Sequence, residues 1–120
     1  MNGVETSLDY AIFQDHGYKG LYGGKSAKEI HQLKQLKKSQ KILDHMGSTE
    51  LAANLFRATQ TEEKLRRDNV QGKTKANNTH FSVGQKVRKT IEELGGTMPE
   101  QLPSPESSIQ QVERQQKKLK

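Results

Sequence analysis

Lys34, Lys37, Lys38 and Lys41 lie three, four and seven residues apart. On a continuous helix this spacing puts all four ammonium groups on one face. Like charges so arranged repel one another, and a polyanion laid along them relieves the repulsion. Phosphate neutralisation is therefore the chemistry this set can do, and it would show as steep salt dependence. Lys64, Arg66, Arg67, Lys73 and Lys75 form a second basic cluster around Gly72. Lys86, Arg88 and Lys89 form a third, and Arg114, Lys117, Lys118 and Lys120 stand near the end of the sequence. A charge run is often no more than a solvated face, but the number of clusters favours a contact surface. No zinc-finger spacing or aromatic sheet motif accompanies them, so sequence-specific base readout is not expected.

A different set gathers in YKGLYGGK, residues 18–25. Repeated glycine is costly inside a helix, so the segment reads as a loop. Tyr18 and Tyr22 could stack on bases there while Lys19 and Lys25 neutralise a strand. The alternative is a turn that packs two tyrosines and leads into a capped helix. Gly23-Gly24-Lys25-Ser26 invites comparison with a phosphate-binding loop, which needs a glycine five positions before Gly24 and a buried strand ahead of it. Lys19 occupies that position and an amphipathic helical pattern precedes it, so nucleotide binding is set aside.

Nothing points to catalysis. His16, His31, His45 and His80 show no metal-ligand spacing on one helix face, and the chain has no cysteine to complete a site. His80 falls in an apolar stripe and reads as a hydrogen-bonded core residue. Glu62 and Glu63 are adjacent, and neighbours on a helix do not face each other. Glu62 lies near a leucine stripe, where partial burial is expected. Alternatives for the polar run at residues 58–62 are buried hydrogen bonds that fix helix register, which we favour, or a recognition patch. We expect no catalytic residue, no metal, no cofactor and no enzymatic activity.

These residues must be positioned by helices. Ser7 can cap a short helix ending at Gly17, with Leu8, Ile12 and Phe13 on its apolar side. Ser26 and Glu29 form a capping box that opens a second helix, predicted to run to about Met46 with a break near Ser39. A third covers residues 49–70. Leu51, Leu55, Ala58 and Leu65 mark its inner face, with Ala52 and Phe56 beside them and Gly72 as its stop. A fourth covers residues 75–94, where Ala76, His80, Val83, Val87, Ile91 and Leu94 recur at spacings of three and four. Gly84 inside it should admit a second helix at close range. The organisation is a helical domain over residues 1–96, a proline-marked linker over 97–106 and an amphipathic helix over 107–120 built on Ile109, Val112, Gln116 and Leu119.

The fold expected is a small, thin all-α bundle of about five helices. Leu, Ile, Val and Phe make up only 24 of 120 residues. So small an apolar store barely offsets chain entropy, which leaves room for completion by homo-oligomerisation. Twenty basic against 14 acidic residues give a net charge of +6, which favours acidic partners, nucleic acid first. No apolar run nears the ~20 residues of a membrane helix, and no signal peptide pattern opens the sequence. The cytoplasm is the default expectation.

Three stretches carry a resemblance: AIFQDHGYKGLYGG at 11–24, QKILDHMGSTELAANLFRATQTEEKLRR at 40–67 and GQKVRKTIEELGGTMPEQLP at 84–103. Together they are similar to the C-terminal part of the DNA-damage-inducible protein D family, from about Ser7 to Pro105. The resemblance implies a bacterial SOS-response protein acting around DNA damage, at DNA bound by a RecA-type recombinase. It implies that full-length members carry a phage-antirepressor-like N-terminal domain, absent from these 120 residues. It transfers no catalytic residues. Two functions follow as expectations. One is an accessory module that modulates recombination or repair by binding a recombinase filament, single-stranded DNA, or both. The other is a protein–protein or oligomerisation module of a phage-type antirepressor.

Overall fold

Thr6 opens the first helix. Its hydroxyl accepts from the Asp9 N–H at 3.0 Å, and the Asp9 carboxylate accepts the Thr6 N–H at 3.3 Å. In the computed structural model, which describes residues 3–104, this helix, α1, spans Ser7–Leu21. It therefore starts one cap earlier than expected and does not stop at Gly17. The first half of the segment read as a glycine loop, residues 18–21, is the last turn of this helix. The chain leaves the helix from Tyr22 on, with Gly23 and Gly24 in left-handed conformations at φ of 67° and 100°.

The reason the helix continues is α4, which spans Lys73–Glu93 and packs along α1 more extensively than any other element does. A Cβ on Gly20 would collide with the carbonyl oxygen of Phe81, and one on Gly17 would strike His80 and Arg57. One on Gly84 would lie 2.8 Å from the Gly17 carbonyl oxygen and 2.8 Å from the Leu21 nitrogen. Glycine on both helices lets the backbones touch, and the dispersion attraction of this close packing outweighs the helix propensity lost. The expected role of Gly84 is thus met, with Gly17 and Gly20 as its counterparts.

The Ser26–Glu29 capping box is present, with bonds of 3.2 and 3.1 Å, but the helix it opens is short. This helix, α2, spans Ala27–Leu33. Gln35 takes φ of 56°, the chain turns, and a 3₁₀ turn at Ile42–His45 follows. The predicted run to Met46 does not form. The side chain of Gln40 accepts the Lys37 N–H at 2.7 Å in the turn, which spares the four lysines from sharing one helix face.

Helix α3 spans Ser48–Arg67 and is followed by a tight connection through Asn69, at φ 48°, and Gly72, at φ 87°. Gly72 is thus the N-cap of α4 and lies past the end of α3. The core lies around α1 in two clusters. Tyr18, Leu21, Tyr22, Ile30, Met46 and Val87 form one. Phe13, Leu65 and Ala76 form the other, with Val4 and Val70 against it.

After α4 the chain folds back. Pro99 is buried in a 3₁₀ turn at Pro99–Gln101, and Glu100 accepts two bonds from the Arg88 guanidinium at 2.8 and 2.9 Å. The architecture is all-α, as expected. Four α-helices stand among the described residues, and the amphipathic helix predicted over 107–120 lies outside them. No helix among the described residues is long and apolar enough to cross a membrane.

Candidate functional site

Helix α3 turns a polar face inward. Glu50, Asn54, Arg57 and Thr61 recur at four, three and four residues, and each is at most 2% exposed. Leu55 and Phe56 are 55% exposed on the outside. The inner face is therefore rotated by about one residue from the Leu51–Leu55–Ala58–Leu65 stripe read from hydropathy. Of that stripe only Leu65 is buried, and Glu62, expected near the core, is exposed.

The partners supplied by the other helices explain this rotation. The Tyr22 hydroxyl donates a short bond to the Glu50 carboxylate, and Lys34 Nζ donates to the same group at 2.7 Å and to the His45 carbonyl at 3.2 Å. Asn54 Nδ2 donates to the Tyr22 oxygen and to the Glu50 carbonyl, each at 3.0 Å. Arg57 donates to Asn54 Oδ1 at 3.2 Å and to His80 Nε2, and its guanidinium lies 5.0 Å from the centre of the Tyr18 ring. His80 Nδ1–H donates to the Phe13 carbonyl at 2.8 Å, which fixes the neutral tautomer that can accept from Arg57. Thr61 donates to the Arg57 carbonyl at 2.7 Å. Within the polar run at 58–62 this bond is buried, but it runs to the carbonyl one turn back on the same helix and does not set the register of α3 against its neighbours.

A cleft of about 170 Å³ opens beside Tyr22, Lys34 and Glu50. It is smaller than the ~300–1,000 Å³ of small-molecule sites. Its polar groups are also engaged with one another, so the network is a structural one. Burial pushes the Tyr22 hydroxyl well above its ordinary range and raises that of Tyr18. Burial, with the Arg57 charge beside it, pulls His80 from 6.5 down to about 4. The sign follows directly. Above pH 6.5 the ring is neutral folded or unfolded, and stability is whole. Between 6.5 and 4 the unfolded chain takes up the proton first, so stability falls as pH falls. The shift corresponds to about 3 kcal/mol. Urea titrations between pH 7 and 4 should show this loss, and a His80→Gln variant should flatten it.

The network also settles where several expected contact residues lie. Tyr18 is 7% exposed and Tyr22 is fully buried, so neither can stack on a nucleic-acid base. Lys19 sits 3.9 Å from Asp15, with Lys25 just past the turn. The lysine stripe is dissolved. Lys34 points into the core, while Lys37, Lys38 and Lys41 are exposed in the turn after α2. The cluster around Gly72 survives. Arg66 and Arg67 end α3, and Lys73 and Lys75 begin α4 across a short connection. Arg67 pairs with Glu63 and Asp68, and Lys73 with Asp9 at 3.4 Å. Arg66 and Lys75 are exposed and form no ion pair among the described residues.

One surface was not visible in the sequence as a unit. Phe56, Gln60, Lys64 and Arg67 follow one another along α3 and face Val83, Lys86 and Val87 of α4 across an open groove of about 260 Å³. Phe56 is the exposed aromatic in it. Its spacing of four and eight residues to Gln60 and Lys64 was the available signal, hidden because hydropathy assigned Phe56 to the core. Among the described residues no group of three His, Cys, Asp or Glu could hold a metal ion.

Comparison with known proteins agrees with the resemblance. The chain is 73% identical over 111 residues to the DNA damage-inducible protein D of Escherichia coli (strain K12). The match covers 92% of this chain and 40% of that relative's length. No solved structure matches. Residues 1–112 match the family described as the DinD C-terminal domain, and the chain belongs to that family.

Proposed function

We propose that this chain is a non-enzymatic accessory module of the bacterial SOS response, working in the cytoplasm on DNA recombination and repair. It acts stoichiometrically, by binding a RecA-type recombinase filament, the single-stranded DNA within it, or both. The family relationship supports the DNA-damage setting. The observation that carries the binding reading is the disposition of charge. Lys37, Lys38, Lys41, Arg66, Lys75 and Lys86 are all exposed and form no ion pair among the described residues, on a chain of net charge +6. Such groups cost nothing to the fold when neutralised by a phosphate backbone. A nuclease would instead need clustered carboxylates for metal ions.

Fluorescence anisotropy with labelled single-stranded DNA, alone and coated with recombinase, tests this across a salt series. The expected result is binding that weakens steeply with salt and drops when Arg66 and Lys75 are reversed to Glu. Absence of binding in both settings at low salt would sink the reading. Exposed apolar side chains favour a second one, a protein–protein or oligomerisation module: Leu8 is 69% and Ile12 42% exposed, one turn apart on α1. A strictly monomeric chain in sedimentation, with no change on deleting residues 107–120, would argue against self-association.

A further inference from the structure

We infer that the groove between α3 and α4 is a binding site for single-stranded DNA, in which Phe56 stacks on a base while Lys64, Arg67 and Lys86 hold the flanking phosphates. The inference rests on the binding function proposed above and assigns it to a place.

Three features of the groove converge on this ligand. Phe56 is an aromatic ring left 55% exposed at mid-helix, over a floor made by Val83 and Val87. A ring so placed contributes little to folding, but it offers a flat face to any base. The cations stand on both banks, Lys64 and Arg67 on α3 and Lys86 on α4, and no carboxylate among the described residues lines the groove. Lys86 has no ion pair among those residues, and the partners of the other two, Asp68 and Glu63, lie on the exposed surface of their own helix. Exposed pairs of this type yield readily to a competing phosphate. Gln60 and Ser82 supply hydrogen-bonding groups beside the ring.

The same features weigh against other occupants. In duplex DNA the bases are stacked on one another inside the helix and offer no free face to the ring. An apolar helix from another protein would need a stripe of apolar contacts over two or three turns. The groove offers Phe56, Val83 and Val87 in a single cleft of about 260 Å³. The chain's own residues 105–120 carry Arg114, Lys117, Lys118 and Lys120 against Glu106 and Glu113, so their net positive charge is repelled by the basic banks. A polyanion with unpaired bases satisfies both the ring and the cations.

The chain contains no tryptophan, so Phe56→Trp places a single reporter in the groove. Titration of this variant of the whole chain with oligo-dT should quench its fluorescence. In anisotropy, Phe56→Ala should weaken oligo-dT binding by about 5- to 150-fold, the range for loss of one base–aromatic stack, with an unchanged salt slope. Phe56→Tyr should stay within a factor of about three. Lys86→Glu should lower both the affinity and the salt slope. Circular dichroism should show all of these variants to be as helical as the parent, because the replaced side chains are exposed. If oligo-dT binds the parent, the Phe56→Ala and the Lys86→Glu chains alike, the groove assignment is wrong while the binding function stands. If naked DNA does not bind but a recombinase filament does, and Phe56→Ala abolishes that, the groove is a protein site and the single-strand assignment is overturned. If neither binds, both readings fall.

Discussion

Glu50→Ala should lower the free energy of unfolding by about 3–5 kcal/mol, the cost of breaking a buried ion pair from one side. The substitution leaves the Lys34 ammonium, whose side chain is 8% exposed, without its counter-charge, and the Tyr22 hydroxyl without its acceptor. Most of the loss is the penalty on these stranded groups and little of it is the worth of the pair. Removing both charges should therefore cost far less. A Lys34→Met/Glu50→Leu chain is expected within about 2 kcal/mol of the parent, because an apolar replacement of a buried pair is often near neutral. Urea denaturation followed by circular dichroism measures both. For a domain of this size the single variant should melt more than about 12 °C lower. Equal losses in the single and double variants would show that Lys34 and Tyr22 find other partners, and the network would lose its claim to organise the core.

Gly20→Ala gives the second large effect, and its sign separates two physical accounts. Helix propensity alone makes alanine better than glycine in mid-helix by about 1 kcal/mol. The new methyl, however, falls on the carbonyl oxygen of Phe81, a backbone atom of α4 that cannot swing aside. The helices must separate, and we expect a net loss of about 3 kcal/mol, at the upper end of overpacking costs. Gly84→Ala should also destabilise, by less. The double variant should lose less than the sum, because both methyls wedge the same crossing. A stabilised Gly20→Ala chain in thermal melts would mean that α1 and α4 do not touch here.

What could be read from the sequence was local. The Ser26–Glu29 capping box joins residues three apart, and it forms as written, although the helix it starts is shorter than its pattern suggests. Gly84 was legible as a close-approach site because glycine has little other use inside a helix. Gly17 and Gly20 are the same device, yet they read as a helix stop and part of a loop, since their local cost is visible and their partners on α4 lie some sixty residues away. The inner face of α3 was misassigned for a similar reason. Hydropathy sends Glu50, Asn54 and Arg57 outward, and Tyr22, Lys34 and His80 of α4, all distant in sequence, give them reason to turn in. His80 itself was expected in the core and lies there at 1% exposure. Among the basic residues, the grouping around Gly72 could be read because α3 ends and α4 begins there. The Lys34–Lys41 stripe failed because its helix ends at Leu33. The groove around Phe56 draws on two helices, and no one-dimensional pattern joins them.

The interlocked polar side chains under α3 also constrain how this sequence can change over generations. A lineage that exchanges Tyr22, Lys34, Glu50 or Asn54 alone takes at least one hydrogen bond from a buried neighbour. Acceptable routes must pass through two or more linked exchanges, with a poorly folding ancestor between them. Drift in this part of the chain should be slow and concerted, with substitutions that arrive in sets. The side chains of Lys37, Lys38 and Lys41, by contrast, are tied to none of the described residues, and each can vary singly. Their identities are free to follow whatever surface the protein meets, while the interior holds its shape.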